Sequence, residues 1–320
     1  MGTAILKRLG AGVIVLFVVT LVTFCVLHVI PGDAATLALG TDATAERLAA
    51  MRAALGTDRP LPEQYLAWIG GVLGGDWGTS SMYGSDVWGV IAPTLGVTLA
   101  LALYATLLAV VVALVLGCAA ALRPGSLVDG VARVVMQLGS AVPAFWLGIL
   151  LMLAFSARLG WFPVSGYVPL GQDFWGGVRS LTLPALALAA GECGVLVRIV
   201  RSSVLSSLGR DYMLATRVKG LSRGRSVVAY ALRGALVAPL TMAGMQLAKL
   251  LGGTVVVESV FALPGLGRLL LTAVEQRDVM LLQGIVLFVT CAVVVVSLLV
   301  DVAVMAADPA VRKGSTGGAR

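Results

Sequence analysis

The sequence predicts an all-α polytopic membrane protein of about six transmembrane helices, and three observations carry that prediction. Of 320 residues, 59% are hydrophobic and only 12% are charged, against about 25% charged in a soluble domain. A chain so poor in charge cannot cover a water-facing globule, so lipid must cover most of it. Six apolar runs approach or exceed the roughly 20 residues that a membrane-crossing helix needs. The basic residues, finally, concentrate in alternate connecting segments, as the positive-inside rule requires.

The first run spans about 9–30, behind Lys7 and Arg8. It is too long for a signal-peptide core and ends in Pro31-Gly32-Asp33, not in a small-residue cleavage site, so it reads as an uncleaved anchor. The second spans about 94–122, long enough to tilt or to project from the bilayer. The third is about 134–155 and the fourth about 181–200. The fifth is about 235–257. The sixth is about 280–305, interrupted only by Asp301 near its end.

Charge sets the orientation. The segment 31–93 holds Arg47, Arg52 and Arg59 against seven acidic residues, whereas the loop after the fourth run holds Arg210, Arg217, Lys219, Arg223, Arg225 and Arg233 against Asp211 alone. Both termini are therefore expected in the cytoplasm, with 31–93 outside. The net charge of +7 is a topology signal, and nucleic acid is not needed to explain it. The organisation expected is an anchor helix with a long external loop (1–93) followed by a core of five spans (94–320), with a cytoplasmic loop at 204–234. The external loop is too long for a plain connector. Helical patterns at 44–55 and 61–72 suit either a subdomain that shields helix ends or a docking surface.

Several chemistries lack their parts. Cys25, Cys118, Cys193 and Cys291 each lie inside an apolar run and form no CxxC, so they read as small apolar side chains. The single histidine, His28, reads as interfacial, which leaves a metal cluster or a hydrolytic triad without ligands. No G-x-x-x-x-G-K-[ST] loop is present, so the chain is not expected to hydrolyse ATP by that route. No cofactor is expected in this chain, and the chain is not expected to be an enzyme.

Two ionisable residues fall at mid-membrane, Glu192 in the fourth run and Lys249 in the fifth. The runs are antiparallel, so the two should agree in depth within about one helical turn, roughly 5 Å. Groups of this kind face a partner or water. The two readings are a buried interhelical pair and a charged lining of a solute path. Gly244, Ala248 and Gly252 recur every four residues, a stripe suited to close helix packing or, as a minority reading, to a pore wall. In the basic loop, 211–219 can form one short helix ended by Gly220. Such a helix could enter a groove on a soluble partner or lie on anionic lipid.

These segments resemble, in order and over nearly the whole length, the dipeptide/oligopeptide/nickel permease family of ABC importers, in particular the first of its two permease subunits. The resemblance is carried by "LVTFCVLHVIPGDAA", "LGTDRPLPEQYLAWIGGVLGGDWGTS", "AVPAFWLGILL", "DYMLATRVKGLSRGRSVVAYALRGAL" and "LLGGTVVVESVFALPGLGRLL". It implies a type I-like importer permease for di- or oligopeptides, with nickel chelates, glutathione or oligosaccharides as alternative cargo. It implies as partners a similar second permease, two ATPase subunits that use ATP and Mg, an external solute-binding protein and the lipid itself. Asp211, Tyr212, Ala215, Thr216, Arg217, Lys219 and Gly220 lie in the segment that resembles the loop docking on the ATPase, where Tyr212, Arg217, Lys219 and Gly220 match the family. Ala215-Thr216 departs from the usual small residue followed by Ala, Val218 stands where Ala is usual, and the expected proline comes one place late at Pro239. Pro264, Gly265 and Gly267 resemble the external turn before the last span. The alternative of another class is a stand-alone secondary transporter, which would carry its own coupling-ion site and often internal repeats; no repeat is visible.

Overall fold

A computed structural model describes residues 2–29, 44–55, 57–211, 213, 218 and 221–307. The elements are α1 (Gly2–Val29), α2 (Ala45–Leu55), α3 (Leu61–Leu73), α4 (Val87–Leu122), α5 (Leu127–Ala141) and α6 (Ala144–Leu151). A π-helical turn (Met152–Arg158) continues α6. Then come α7 (Phe174–Leu208), α8 (Arg223–Ser226), a second π-helical turn (Val227–Ala231), α9 (Leu232–Ala235), α10 (Val237–Gly253), α11 (Val255–Val260), α12 (Leu266–Glu275) and α13 (Val279–Ala307). Among the described residues the only extended pairing is the Thr79–Asp86 bridge.

Helices α1, α4, α7 and α13 are each long and apolar enough to cross a membrane, and α5 with α6 would make a fifth span bent by 109°. This corrects the straight third span expected at 134–155. The cause is Pro143. The residue before a proline is driven out of the helical region, and Val142 is extended at φ −90°, ψ 122°. The fifth expected span is α10, with 17 residues. At 1.5 Å per residue it reaches about 26 Å, a little short of a bilayer core by itself, and α11 continues it after Thr254.

Two helices are longer than their apolar runs. α4 begins at Val87 because the Asp86 carboxylate accepts from Gly89 N–H at 2.9 Å, and it carries Pro93 inside. α7 begins at Phe174 and carries Pro184. With 36 and 35 residues, each is about 50 Å long and projects from the roughly 30 Å hydrocarbon layer.

The core is the packing of α4 on α7. Leu101, Ala102 and Ala105 meet Leu181, Leu183, Ala185 and Leu188 in one apolar cluster. Ala109, Ala113 and Ala120 meet Cys193, Leu196, Val197 and Val200 in the next. Small residues bring the backbones together: a Cβ on Gly117 would stand 2.8 Å from Val200 Cβ, and one on Gly139 would stand 2.6 Å from the Ala190 carbonyl. The stripe at Gly244, Ala248 and Gly252 lies against α13, where Gly244 meets Val300 and Gly252 faces Val289; it is a packing seam. At the other side α1 lies on α13, with Gly12 against Val294 and Arg8 paired with Asp301.

The connection between α3 and α4 is pinned to the start of α13 by Asp278, which is fully buried. Its carboxylate accepts from Ser80 Oγ at 2.5 Å, Met82 N–H at 3.0 Å and Leu281 N–H at 3.0 Å. It thus caps α13 and holds the loop in one stroke.

Candidate functional site

Two buried polar groupings lie between the core helices. The first is at the middle of α7, where it meets the last third of α10. Glu192 and Lys249 come together there, with Lys249 Nζ 3.5 Å from Glu192 Oε1. Their surroundings differ sharply. The Glu192 side chain is 10% exposed, the Lys249 side chain 76%. Gln246, one turn before Lys249, is buried and donates from Nε2 to the Glu192 carbonyl at 3.4 Å. Its Oε1 has no hydrogen-bond partner among the described residues. α7 and α10 therefore place a buried carboxylate, a buried amide and an exposed ammonium at one depth.

The second is at the turn Pro264–Gly267. Its organiser is Glu258, on α11. Glu258 is fully buried. Its Oε1 accepts from Thr98 Oγ1 on α4 and Thr254 Oγ1, both at 2.8 Å, and its Oε2 accepts from Arg268 N–H at 3.1 Å. Thr98 Oγ1 in turn accepts from Leu266 N–H at 2.8 Å. A helix leaves its first N–H groups without internal partners, and its N-terminus favours negative charge. Here two of those groups on α12 are satisfied from α4 and α11, so the turn is fixed to both.

The glycines follow from that arrangement. A side chain on Gly265 would overlap the Glu258 carboxylate, and a Cβ on Gly267 would stand 2.6 Å from Val255 Cα. Pro264 introduces the turn. Just before it, α11 ends in a Schellman motif: Leu263 N–H donates to the Glu258 carbonyl at 2.8 Å and Ala262 N–H to Ser259 at 3.2 Å, with Ala262 at φ 52°. The signal that could have found this site is an acidic residue seven places before Gly265 in an apolar run, since a buried charge needs partners.

The ATPase-docking residues expected at Tyr212, Ala215, Thr216, Arg217, Lys219 and Gly220 lie outside the described residues, as does the side chain of His28; Asp211 is exposed. The segments flanking that loop are held firmly. Arg201 on α7 grips Asp129 on α5 through Nε at 2.7 Å and Nη2 at 3.3 Å. Ser207 Oγ donates to the Ala231 carbonyl at 2.8 Å. The end of α7 is thereby tied to α5 on one side of the loop and to the segment after it on the other. Among the described residues no cluster of three or more His, Cys, Asp or Glu could hold a metal ion.

Long apolar helices packed through small residues, with charges buried in hydrogen-bonded sites between them, define a polytopic membrane protein. Residues 113–313 match the family described as binding-protein-dependent transport system inner membrane component, and residues 1–102 match the N-terminal family of the same systems. A putative peptide transport system permease protein of Brucella abortus is 40% identical over 312 residues, covering 98% of this chain and 99% of that one. The dipeptide transport system permease protein DppB of Escherichia coli is 36% identical, covering 96% and 98%. The glutathione transport system permease protein GsiC of Salmonella choleraesuis is 39% identical, covering 96% and 98%. A crystal structure of an amino acid ABC transporter with histidines aligns with a TM-score of 0.49 at 18% identity, over 67% of this chain and 92% of that one. The chain belongs to the family of binding-protein-dependent transport system inner membrane components, and is a multi-pass inner-membrane permease subunit of an ABC importer.

Proposed function

We propose that the chain forms half of the membrane pathway for di- or oligopeptides, or related small solutes such as glutathione. In this reading a second, similar permease completes the pathway, two ATPase subunits bind on the cytoplasmic side, and an external binding protein delivers cargo. The observation that carries the reading is near-full-length similarity to permeases of peptide, dipeptide and glutathione systems.

The chain's own share is mechanical. ATP and Mg are used by the partner subunits; this chain does no covalent chemistry and carries no cofactor. Closure of the ATPases on ATP moves the segment 211–220. The Asp129–Arg201 ion pair and the Ser207–Ala231 hydrogen bond support passing that movement to α5, α7 and α10 as rigid levers. Both termini and 204–234 face the cytoplasm, and 31–93 faces outward. The turn Pro264–Gly267 then lies on the outer side, as a framed element beside the external mouth of the path.

The test is the composition of the complex. A tagged chain extracted in mild detergent should bring with it a second permease and two copies of ATPase, and should hydrolyse no ATP when isolated from them. A chain that purifies alone and drives uptake from an ion gradient would overturn the proposal in favour of a secondary transporter.

A further inference from the structure

We propose that Lys249, steadied by Glu192, is a carboxylate-binding group in the translocation path. The inference rests on the permease reading above and names the chemistry that the path recognises.

Lys249 lies in the last third of α10 but meets Glu192 at the middle of the membrane-crossing α7, and a lysine at that depth costs about 3 kcal/mol when it faces lipid. Near a membrane surface the long side chain escapes by reaching for water, but from mid-span that escape is out of reach. Lys249 is nonetheless 76% exposed. The ion pair does not remove the difficulty, because it uses one 3.5 Å contact of an ammonium that has three donors. The exposed ammonium must therefore meet water or a polar ligand.

The shape of α10 says where that water is. Ala238, Met245, Lys249 and Gly253 are all exposed. At 100° per residue they fall within one narrow stripe along the helix. The stripe borders the seam of Gly244, Ala248 and Gly252 that packs on α13, with Gly252, itself exposed, at the shared edge. It carries small and thioether side chains and, within α10, Lys249 as its one charge. A wall of this kind lets solute pass closely and holds it at a single point.

Glu192 gives that point its character. Buried and aimed at Lys249, it limits the swing of the amine. It is too enclosed to present a negative face of its own. A passing carboxylate can take the donors that Glu192 leaves unused, a charge-assisted contact, and leaves without a buried charge being stranded, since Glu192 remains as counter-ion. Peptides offer a carboxylate from two sources, the C-terminus and acidic side chains.

The experiment uses the complete complex in proteoliposomes. Met245, one turn from Lys249 and 61% exposed, is replaced by cysteine. Its modification by small water-soluble thiol reagents is measured for an anionic sulfonate and a cationic ammonium form, with the parent chain as background. The anionic reagent should react about tenfold faster than the cationic one, equivalent to about 1.4 kcal/mol. The preference should vanish in Met245→Cys combined with Glu192→Gln and Lys249→Met, the double change chosen so that neither charge is left alone. No reaction at position 245, or reaction without charge preference, overturns the proposal.

Uptake then identifies the source. Dialanine, its C-terminal amide and an amidated peptide bearing a glutamate are compared through the same binding protein, whose own preference cancels in the ratio of variant to wild type. A loss in the double variant confined to dialanine assigns the C-terminal carboxylate; a loss shared with the glutamate peptide assigns any carboxylate. Equal effects on all three overturn the proposal. Failure of the wild-type complex to import anything with ATP would instead refute the permease reading itself, whatever the reagents show at position 245.

Discussion

Replacing Glu258 should loosen the turn before the last span more than any other single change there. The carboxylate receives two hydroxyl bonds at 2.8 Å and one main-chain N–H at 3.1 Å. Hydrogen bonds to a charged group contribute about 1.5–3 kcal/mol each, but removing the carboxylate also removes the cost of burying it. A net loss of about 3 kcal/mol is expected for Glu258→Ala, within the range of large single-site effects. Glu258→Gln keeps the shape and one acceptor, yet sets an amide N–H₂ against either the hydroxyls or Arg268 N–H, and should lose about half as much. Thr98→Val leaves Leu266 N–H without its acceptor and should resemble the Gln variant. The assay is thermal denaturation of the purified complex in detergent. A sharper arm uses Gly265→Ala, whose new Cβ would collide with the Glu258 carboxylate. It should be severe in the wild type and mild beside Glu258→Ala, a coupling that a double-mutant cycle reads directly. If Glu258→Ala melts with the wild type, or if the two changes simply add, Glu258 does not frame the turn.

Other predictions follow from the same physics. Ala262 and Arg277 hold the left-handed position of Schellman motifs at φ 52° and 55°, where a side chain costs about 1 kcal/mol or more, so Ala262→Gly should raise the melting temperature; a fall would show that the turn is set otherwise. Asp278→Ala removes the anchor of Ser80 and Met82, and limited proteolysis should cut near residues 79–86 faster, with unchanged cleavage contradicting the anchor. Gly220→Pro should uncouple ATP hydrolysis from import or release the ATPase, and normal assembly with normal import would count against the docking segment. Cysteine at Glu46 should be labelled from outside and cysteine at Arg223 should not; the reverse pattern would invert the topology.

Much of this arrangement is legible in the sequence because membrane physics leaves few options. Apolar length marks α1, α4, α7 and α13 directly. The matched depth of Glu192 and Lys249 follows from antiparallel spans, whereas their contact at 3.5 Å is a tertiary fact. What hydropathy does not carry is local geometry. The apolar run beginning at residue 94 hides the start of α4 at Val87, because capping by Asp86 extends a helix without adding hydrophobicity. The run 134–155 looks straight, because its apolar content is unbroken while Val142 and Pro143 bend the backbone. Glu258 sits near the end of a span and so reads as a surface charge; only the tertiary approach of Thr98, from 160 residues earlier, shows it to be an internal cap. The unequal exposure of Glu192 and Lys249 is likewise set by how α10 is rotated, which helical periodicity leaves open when two faces are both apolar.

The central claim is that this chain turns ATP use by its partners into directional passage of a small solute. Its most direct test is uptake of a radiolabelled dipeptide into proteoliposomes that contain the assembled complex, with ATP inside and the binding protein outside. Accumulation against the gradient should require both ATP and the binding protein, and should disappear when this chain carries Gly220→Pro although the ATPases still hydrolyse. Accumulation driven by a proton or sodium gradient without ATP would contradict the account.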